Sequence, residues 1–466
     1  MNAESNDWLK SSDSKEYFEL LKFQSVGADP NRLRDSVAAA TWLKRWLRTI
    51  GADAELVLPE GSATGVEVSP PVVFAEIRSG SEGAPTVLFY GHYDVQPADP
   101  ADKWSSPPFE PQMRDGRVYC RGAQDDKGQF FSFLCGVREL IADSKLAVNL
   151  KILLEGQEES GSGGLFRLLE DASFRRRIAA DVMIVCDTSA AAGLRPAIVA
   201  GLRGVNHFTL RMTAANRDLH SGEYGGIAPN AARGMAELLS SLHHPDGSIA
   251  VEGFCDGIVP PTQEEFLAAK AGFPGEDDFR DDIGTDPCGG ETSKDLVLRN
   301  GFEPTIEING IHSGYGGPGS KTVIPCEAVA KLSTRLVPGQ NPLRSYEALK
   351  RHLEKNCPKG MKLSFSELSG LSAALRLPLS SPLFMLAGEV LSEMDCRGAV
   401  FQWDGASIPI VSALKETSGA APLLVGWGQP EDRIHSPDES FSVEQFLKSK
   451  EWARRIMLQL GGMKPL

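Results

Sequence analysis

Two short stretches place histidine and carboxylate side chains where they could bind a metal ion. His92 and Asp94 follow an apolar segment, residues 87–90, that predicts a buried strand. Residues two apart in extended chain point the same way, so Asp94 could hold one ring nitrogen of His92 while the other faces a cation. Asp125 and Asp126 precede a segment with apolar residues at helical spacing. Each pattern alone is typical of a surface histidine or a helix cap, but together they favour a metal site.

Three further carboxylates follow the ends of two other predicted strands. Glu158 and Glu159 come after the apolar segment at residues 148–154, and Asp187 comes after residues 182–186. In a parallel sheet the carboxyl ends of the strands meet at one edge, where ligands bind. We therefore expect these carboxylates to converge with the first group.

The elements that must position these residues alternate between strands and helices up to about residue 204. This alternation predicts an α/β fold, with a mostly parallel sheet and helices on both faces. One of the predicted helices covers residues 164–177. The pattern then changes to a smaller α+β arrangement over residues 205–377, in which residues 246–301 are acidic, rich in Gly and Pro, and expected to form variable loops. The predicted organisation is a metal-binding catalytic domain, residues 1–204 and 378–466, with residues 205–377 inserted.

Composition narrows the class of partner and the compartment. The 466 residues include 48 Lys and Arg against 62 Asp and Glu, a net charge of -14, which argues against nucleic acid as a partner and favours a cation. The eight cysteines form no CxxC pair, so neither a zinc ribbon nor a disulfide framework is indicated. No apolar run resembles a signal core or a membrane span, so we expect a cytoplasmic protein with no membrane partner.

Seven ordered motifs carry a family resemblance between residues 87 and 440. They read GHYDVQPA, GAQDDKG, EGQEESGSGG, CDTS, DLHSGEYGG, GSKTVIP and HSPDE. In this order the sequence resembles the two-zinc amidohydrolase family of carnosinase and cytosolic non-specific dipeptidase, whose wider members include acetylornithine deacetylase, succinyl-diaminopimelate desuccinylase and glutamate carboxypeptidase. The resemblance implies a homodimer in which residues 205–377 form a lid and dimerisation domain.

The resemblance also implies two zinc ions per subunit, although manganese or cobalt accept the same ligands. The implied ligands are His92, Asp125 and Asp187 for one ion, and Asp125, Glu159 and His435 for the other. Glu158 is implied as the base that activates the attacking water, with Asp94 as a further catalytic residue. If residues 158 and 159 are extended, Glu158 faces the water while Glu159 faces the metal.

Four residues match family positions that contact the substrate, three in the lid region and Ser407 in the segment that follows it. His220 resembles the histidine that reaches across the dimer to stabilise the oxyanion, although it could equally be a loop histidine bonded to its own backbone. Arg335 resembles the arginine that binds the terminal carboxylate of the substrate, the alternative being a salt bridge within the lid. Thr322 and Ser407 fall on substrate-contact motifs, where either could be an ordinary turn hydroxyl. Ala406, next to Ser407, replaces a glycine that is usual at this position in the family. If the position needs positive φ, the alanine backbone would be strained.

The predicted function is a metal-dependent dipeptidase that acts on short peptides. Within the family, an aspartate at the position of Asp187 accompanies dipeptidase activity. An amidohydrolase of N-acyl amino acids is the nearest alternative. A metal-bound binding or assembly protein without catalysis is the alternative from another class, and the free base Glu158 argues against it.

Overall fold

The computed structural model describes residues 7–59, 69–81 and 83–463, which form two compact units. Within these residues, the first unit comprises the parts in 1–200, 378–402 and 410–466, and the second comprises 201–377 and 403–409. No helix in the described part of the chain is long and apolar enough to cross a membrane.

The strands of both units are numbered here in chain order. They are β1 (Asp53–Val57), β2 (Val72–Ile77), β3 (Thr86–His92), β4 (Gln112–Arg114), β5 (Arg117–Tyr119), β6 (Asn149–Glu155), β7 (Val182–Val185), β8 (Ala197–Leu202), β9 (Gly204–Thr213), β10 (Leu219–His220), β11 (Thr305–Ser313), β12 (Val323–Ile324), β13 (Glu327–Leu336), β14 (Lys362–Ser372), β15 (Leu375–Arg376), β16 (Val400–Asp404), β17 (Ala421–Leu424) and β18 (Ser440–Ser442).

The helices follow the same order. They are α1 (Ser12–Leu21), α2 (Leu33–Thr49), α3 (Lys127–Ala142), α4 (Gly163–Glu170), α5 (Ala172–Ile178), α6 (Ser221–Tyr224), α7 (Ala231–Ser240), α8 (Gln263–Gly272), α9 (Glu276–Ile283), α10 (Leu296–Gly301), α11 (Pro342–Lys355), α12 (Pro382–Met394), α13 (Pro409–Ser418) and α14 (Val443–Leu460).

The first unit is built on a mixed sheet with a parallel centre. Strand β3 lies between β6 and β7 and is parallel to both, and β7 is parallel to β17. The antiparallel pairs β1–β2, β2–β6 and β8–β17 extend the sheet on either side. Almost every residue of β3 is buried, as expected of a central parallel strand. The predicted α/β class is therefore confirmed, and the carboxyl ends of β3, β6 and β7 meet at one edge.

Two predicted elements differ in detail from the structure. The helical pattern over residues 164–177 is divided into α4 and α5, because Asp171 between them is extended and its side chain accepts a hydrogen bond from the first turn of α5. The Gly- and Pro-rich segment 246–301 is less irregular than predicted, since it contains α8, α9 and α10.

The second unit consists of a four-stranded antiparallel sheet, in the order β11-β13-β9-β14, packed against α7 and α11. Trp403–Pro409 is part of this unit, which differs from the predicted boundary that placed residues 378–466 in the catalytic domain. The reason is local: the Arg203 side chain donates to the Gly405 carbonyl at 2.8 Å, and the Arg203 N–H donates to the Ala406 carbonyl at 3.1 Å. The lid and dimerisation roles of this unit stay predictions.

Candidate metal centre

The first group of potential ligands lies at the carboxyl ends of β3 and β7. His92 is the last residue of β3, and its fully buried ring points Nε2 to within 3.1 Å of Asp125 Oδ1 and 3.7 Å of Asp187 Oδ2. Asp187 lies just beyond β7, and Asp125 immediately precedes the turn that begins α3. The ligand atoms of all three residues lie within 4.8 Å of one another.

The second group shares Asp125 with the first. His435 Nε2 lies 2.8 Å from Asp125 Oδ2 and 3.3 Å from Glu159 Oε2, and these ligand atoms also fall within 4.8 Å of one another. Asp125 thus turns one oxygen towards His92 and the other towards His435. This is the geometry expected of a carboxylate that bridges two cations.

The electrostatics of the centre fit divalent cations. His92 Nε2 is buried and forms no hydrogen bond among the described residues. Burial, together with repulsion from Asp125, raises the pKa of Asp187 to about 7, while hydrogen bonds to Asp125 and Glu159 raise the pKa of His435 to about 10. Neighbouring carboxylates contribute to both shifts, so the centre has an excess of negative charge that cations would neutralise. Imidazole and carboxylate are ordinary zinc ligands, so this donor set suits cations at both groups.

Asp94 holds the loop that carries the two adjacent glutamates. It is fully buried, and its two carboxylate oxygens accept the backbone N–H groups of Glu158 at 3.1 Å and Glu159 at 3.2 Å. Glu158–Ser160 forms a single 3₁₀ turn, closed by Gly161 at a φ of 91°, so the extended conformation expected at residues 158 and 159 is wrong. Asp94 therefore holds this turn through the backbone of both glutamates.

Asp94 also lies against the ring of His92. The Nδ1 atom of His92 is 3.4 Å from the Asp94 carboxylate and 3.1 Å from the Asp94 carbonyl oxygen. Either acceptor keeps the proton of neutral His92 on Nδ1, which leaves Nε2 free as a ligand. The carboxylate that orients this ring therefore also orients the glutamate turn.

Glu158 belongs to neither ligand group, although it lies beside both. Desolvation raises its pKa well above the usual value, and the charges of Asp187 and Glu159 raise it further. A carboxylate with a raised pKa next to, but not among, metal ligands is suited to accept a proton near neutral pH.

Two further residues contact the ligands, although neither belongs to the ligand set predicted from the sequence. The Gln96 side chain donates a hydrogen bond to Glu159 Oε2 at 2.7 Å, and Asp126 Oδ2 accepts the His92 backbone N–H at 3.2 Å. Gln96 lies two residues beyond Asp94 in the first motif, so its position on the same loop was the available signal.

In the second unit, His220 and Thr322 lie together because β10 pairs with β12. His220 Nδ1 accepts the N–H of Gly222 at 3.1 Å, and its Nε2 is 3.4 Å from the Thr322 hydroxyl oxygen. The bond to its own loop anticipated as an alternative is thus present. It also makes Nε2 the proton-bearing atom of the neutral ring, so His220 can act as a donor.

Arg335, on β13, is half-buried and joined to Ser407. Its Nη1 donates to the Ser407 hydroxyl oxygen at 2.7 Å, and Ser407 in turn donates to the Gly204 carbonyl at 3.3 Å. No carboxylate of the described residues forms an ion pair with Arg335, so the alternative of a salt bridge within the lid does not hold there. Ala406 does not adopt a positive φ, and the strain considered for this loop is absent.

Comparisons with known proteins show which family the chain resembles in sequence and fold. Residues 88–459 match the family described as Peptidase family M20/M25/M40. The human protein Beta-Ala-His dipeptidase is 30% identical over 431 residues, which cover 91% of this chain and 84% of that protein. Cys-Gly metallodipeptidase dug1 of Schizosaccharomyces pombe is 28% identical over 403 residues, covering 85% and 84% of the two chains. The crystal structure of human carnosine dipeptidase 1 superposes with a TM-score of 0.86 at 28% identity, covering 98% of this chain and 97% of that one.

Proposed function

The chain belongs to peptidase family M20/M25/M40, a family of metal-dependent peptidases, and from that premise we propose that it is a dipeptidase that hydrolyses short peptides. The observation that carries the proposal is the arrangement around Asp125. This one carboxylate joins two ligand groups, and Glu158, which belongs to neither, lies beside them.

The proposed cofactor is a pair of zinc ions, with manganese or cobalt as substitutes that the same ligands accept. His92, Asp125 and Asp187 would hold one ion, and Asp125, Glu159 and His435 the other. When bound, such ions polarise a carbonyl group and lower the pKa of water from about 16 towards 7.

Glu158 is the proposed general base. Its raised pKa lets it take a proton from the attacking water and return that proton to the amine of the leaving group, which would otherwise depart as an unstable anion. Asp94 supports this step because it accepts the backbone N–H of Glu158 and so fixes the backbone from which the Glu158 side chain extends. Asp94 itself has no need to touch the substrate.

Arg335 is the proposed binding group for the terminal carboxylate of the peptide. Its guanidinium group has no ion-pair partner among the described residues, and the Ser407 hydroxyl holds one of its nitrogens in place. A half-buried arginine without a carboxylate at ion-pair distance favours an anionic ligand, and its planar fork matches a carboxylate. Thr322 would contact the substrate beside His220.

His220 is the proposed donor to the oxyanion, supplied from the partner subunit of a homodimer. The tautomer fixed by Gly222 supports the donor role, because it leaves the proton on Nε2. A cytoplasmic location is proposed as well. Its support is that all eight cysteines are free, as in proteins of reducing compartments.

The substitution Glu158→Gln tests the proposed chemistry. We expect the variant to lose at least about 100-fold in kcat, the usual share of general acid–base catalysis, while it retains the metal content of the wild type. Glu159→Gln is the matched control, since it should lose metal as well as activity. Turnover retained in Glu158→Gln would contradict the assignment of the base.

The substrate class is tested by parallel assays on two panels, dipeptides with free termini and N-acetyl amino acids. We expect the zinc-, manganese- or cobalt-loaded protein to hydrolyse the dipeptides. Hydrolysis of the acetyl compounds alone would reject the proposal in favour of an amidohydrolase. No hydrolysis of either panel by protein with a full metal content would favour a binding role.

A further inference from the structure

The carboxylate of Glu439 lies at the centre of a hydrogen-bond cluster beneath the candidate metal centre. The side chain is 1% exposed. Its Oε1 accepts the backbone N–H groups of Gln124 at 3.0 Å and Asp125 at 3.2 Å. Its Oε2 accepts the Gly122 N–H at 2.9 Å and the Arg121 guanidinium at 2.7 Å. Four donors thus converge on one side chain, which is the number that only a charged carboxylate accepts well.

This cluster joins two loops that are more than 300 residues apart in the sequence. One loop, residues 121–125, ends in Asp125, the carboxylate shared by both ligand groups. The other contains His435 and ends in Glu439 itself. The backbone reinforces the junction, because the Cys120 N–H donates to the Glu439 carbonyl at 3.0 Å. One side chain therefore fixes the separation between the bridging carboxylate and the histidine of the second group.

The loop of His435 needs such an anchor. His435 and Asp438 have φ values of 61° and 62°, in the left-handed region that non-glycine residues rarely adopt. Such conformations persist only where surrounding contacts determine the backbone. The His435 side chain is itself 51% exposed, so packing around the ring holds it only in part.

We propose that Glu439 is a positioning residue that sets the affinity of the centre for its second cation. It is not a ligand; it acts through the backbone of Asp125 and through the loop of His435. This role rests on the proposed two-cation site, and it goes beyond the ligand set by naming the residue that keeps that set assembled.

A merely structural reading treats Glu439 as half of a buried ion pair with Arg121. The two readings differ in which partner matters. If the ion pair alone matters, removing either charge has the same effect. If the hold on the backbone of residues 122–125 matters, loss of Arg121 is tolerated, because Glu439 keeps its three bonds to backbone N–H groups.

The test uses Glu439→Gln and the matched control Arg121→Gln. Each protein is stripped of metal with a chelator and titrated with Co²⁺, with calorimetry and visible absorption giving stoichiometry, affinity and ligand geometry. We expect wild type and Arg121→Gln to bind two equivalents with similar affinities. In Glu439→Gln, we expect at least a tenfold weaker second equivalent and a changed cobalt spectrum.

Asp432→Asn adds a control for the loss of a buried carboxylate. Asp432 lies on the same loop as His435 and pairs with Arg117, but it accepts no hydrogen bond from residues 121–125. We expect it to lower the melting temperature of the metal-free protein as much as Glu439→Gln does, without the tenfold loss of Co²⁺ affinity. Should Glu439→Gln not fold, Glu439→Asp retains the charge on a shorter side chain, and the same loss of second-cation affinity is expected.

Two results would overturn the proposal. One is binding of both equivalents by Glu439→Gln with wild-type affinities. The other is an equal loss of affinity in Arg121→Gln, which would assign the effect to the ion pair. Failure of the wild type to bind two equivalents is a separate result, because it refutes the proposed two-cation site itself.

Discussion

Arg335 offers a direct test of how the substrate is bound, because the proposed interaction can be removed either by changing the enzyme or by changing the substrate. The enzyme is changed by Arg335→Ala, and the substrate is changed by converting the terminal carboxylate of a dipeptide into an amide. If Arg335 binds that carboxylate, the two changes remove the same interaction. The loss on combining them should then be far smaller than the sum of the separate losses.

The magnitude follows from the contacts that the guanidinium group can make. Arg335 Nη1 is held by Ser407 at 2.7 Å, and no ion pair engages its other nitrogens in the described chain. A hydrogen bond to a charged group contributes about 1.5–3 kcal/mol, so a two-bond contact with a carboxylate contributes at least about 3 kcal/mol. That energy corresponds to a loss of ~150-fold in kcat/KM on the free dipeptide. Ser407→Ala removes one hydrogen bond that supports Arg335, and it should lower kcat/KM on the free dipeptide about tenfold.

The assay is steady-state hydrolysis of a dipeptide and its amide by the wild type, Arg335→Ala and Arg335→Lys. We expect Arg335→Ala to lose ~150-fold on the acid but less than about threefold on the amide, mainly through KM. Arg335→Lys should recover part of the loss, because it keeps the charge but not the fork. Equal losses on acid and amide would refute the reasoning and would mean that Arg335 serves the fold of its own unit.

Three further outcomes follow from the structure of the first unit. A Cβ on Gly27 would lie 2.2 Å from Asp94 Oδ2, so Gly27→Ala should destabilise the protein by about 2 kcal/mol and reduce kcat. Gly388→Ala is the control, because a Cβ there would have no neighbour within 4 Å among the described residues, and thermal melts should show it to be neutral or slightly stabilising. Removal of metal by a chelator should lower the melting temperature. Addition of the metal ion at 100 times its dissociation constant should raise the free energy of unfolding by about 2.7 kcal/mol, and this gain should be smaller in Glu159→Gln. In the metal-free protein, burial raises the pKa of Glu155 to about 7 from 4.5, so its stabilising effect is complete below pH 4.5 and is lost as the pH rises through 7. In denaturant unfolding, Glu155→Gln should reduce the change in the free energy of unfolding between pH 4.5 and pH 7 by about 3 kcal/mol. The same pH profile in the variant and the wild type would contradict the raised pKa of Glu155.

Much of the first unit could be predicted because its strands are short apolar runs that end in polar residues. The segment before His92 is buried on both sides of the sheet, so its sequence carries a strong signal, and the residue that ends it lies at the ligand-binding edge. The same rule predicted that Asp187 would approach His92, as the structure shows, and that the glutamate pair would join the same edge, where Glu159 lies in the second ligand group.

The contacts that escaped prediction connect residues that are far apart in the sequence. The backbone of Glu158 is fixed by Asp94, 64 residues earlier, so no local pattern revealed the 3₁₀ turn. The segment at residues 403–409 reads as part of the flanking domain, yet its carbonyl groups are bound by Arg203, some 200 residues earlier. Over residues 246–301 the Gly and Pro content suggested loops, but the residues between them form three short helices.

The contacts of Asp94 support the different roles proposed for the two adjacent glutamates. Its carboxylate contacts the ring of His92 and accepts both glutamate N–H groups, so the turn begins at a fixed distance from one ligand of the first group. From that turn Glu159 Oε2 lies 3.3 Å from His435 Nε2 and accepts a hydrogen bond from Gln96, which places this oxygen in the second group. Among the described residues Glu158 forms no such contact, and burial beside the charges of Asp187 and Glu159 raises its pKa. The proposed division between ligand and base therefore depends on the turn that Asp94 holds, and not on the Glu-Glu sequence alone.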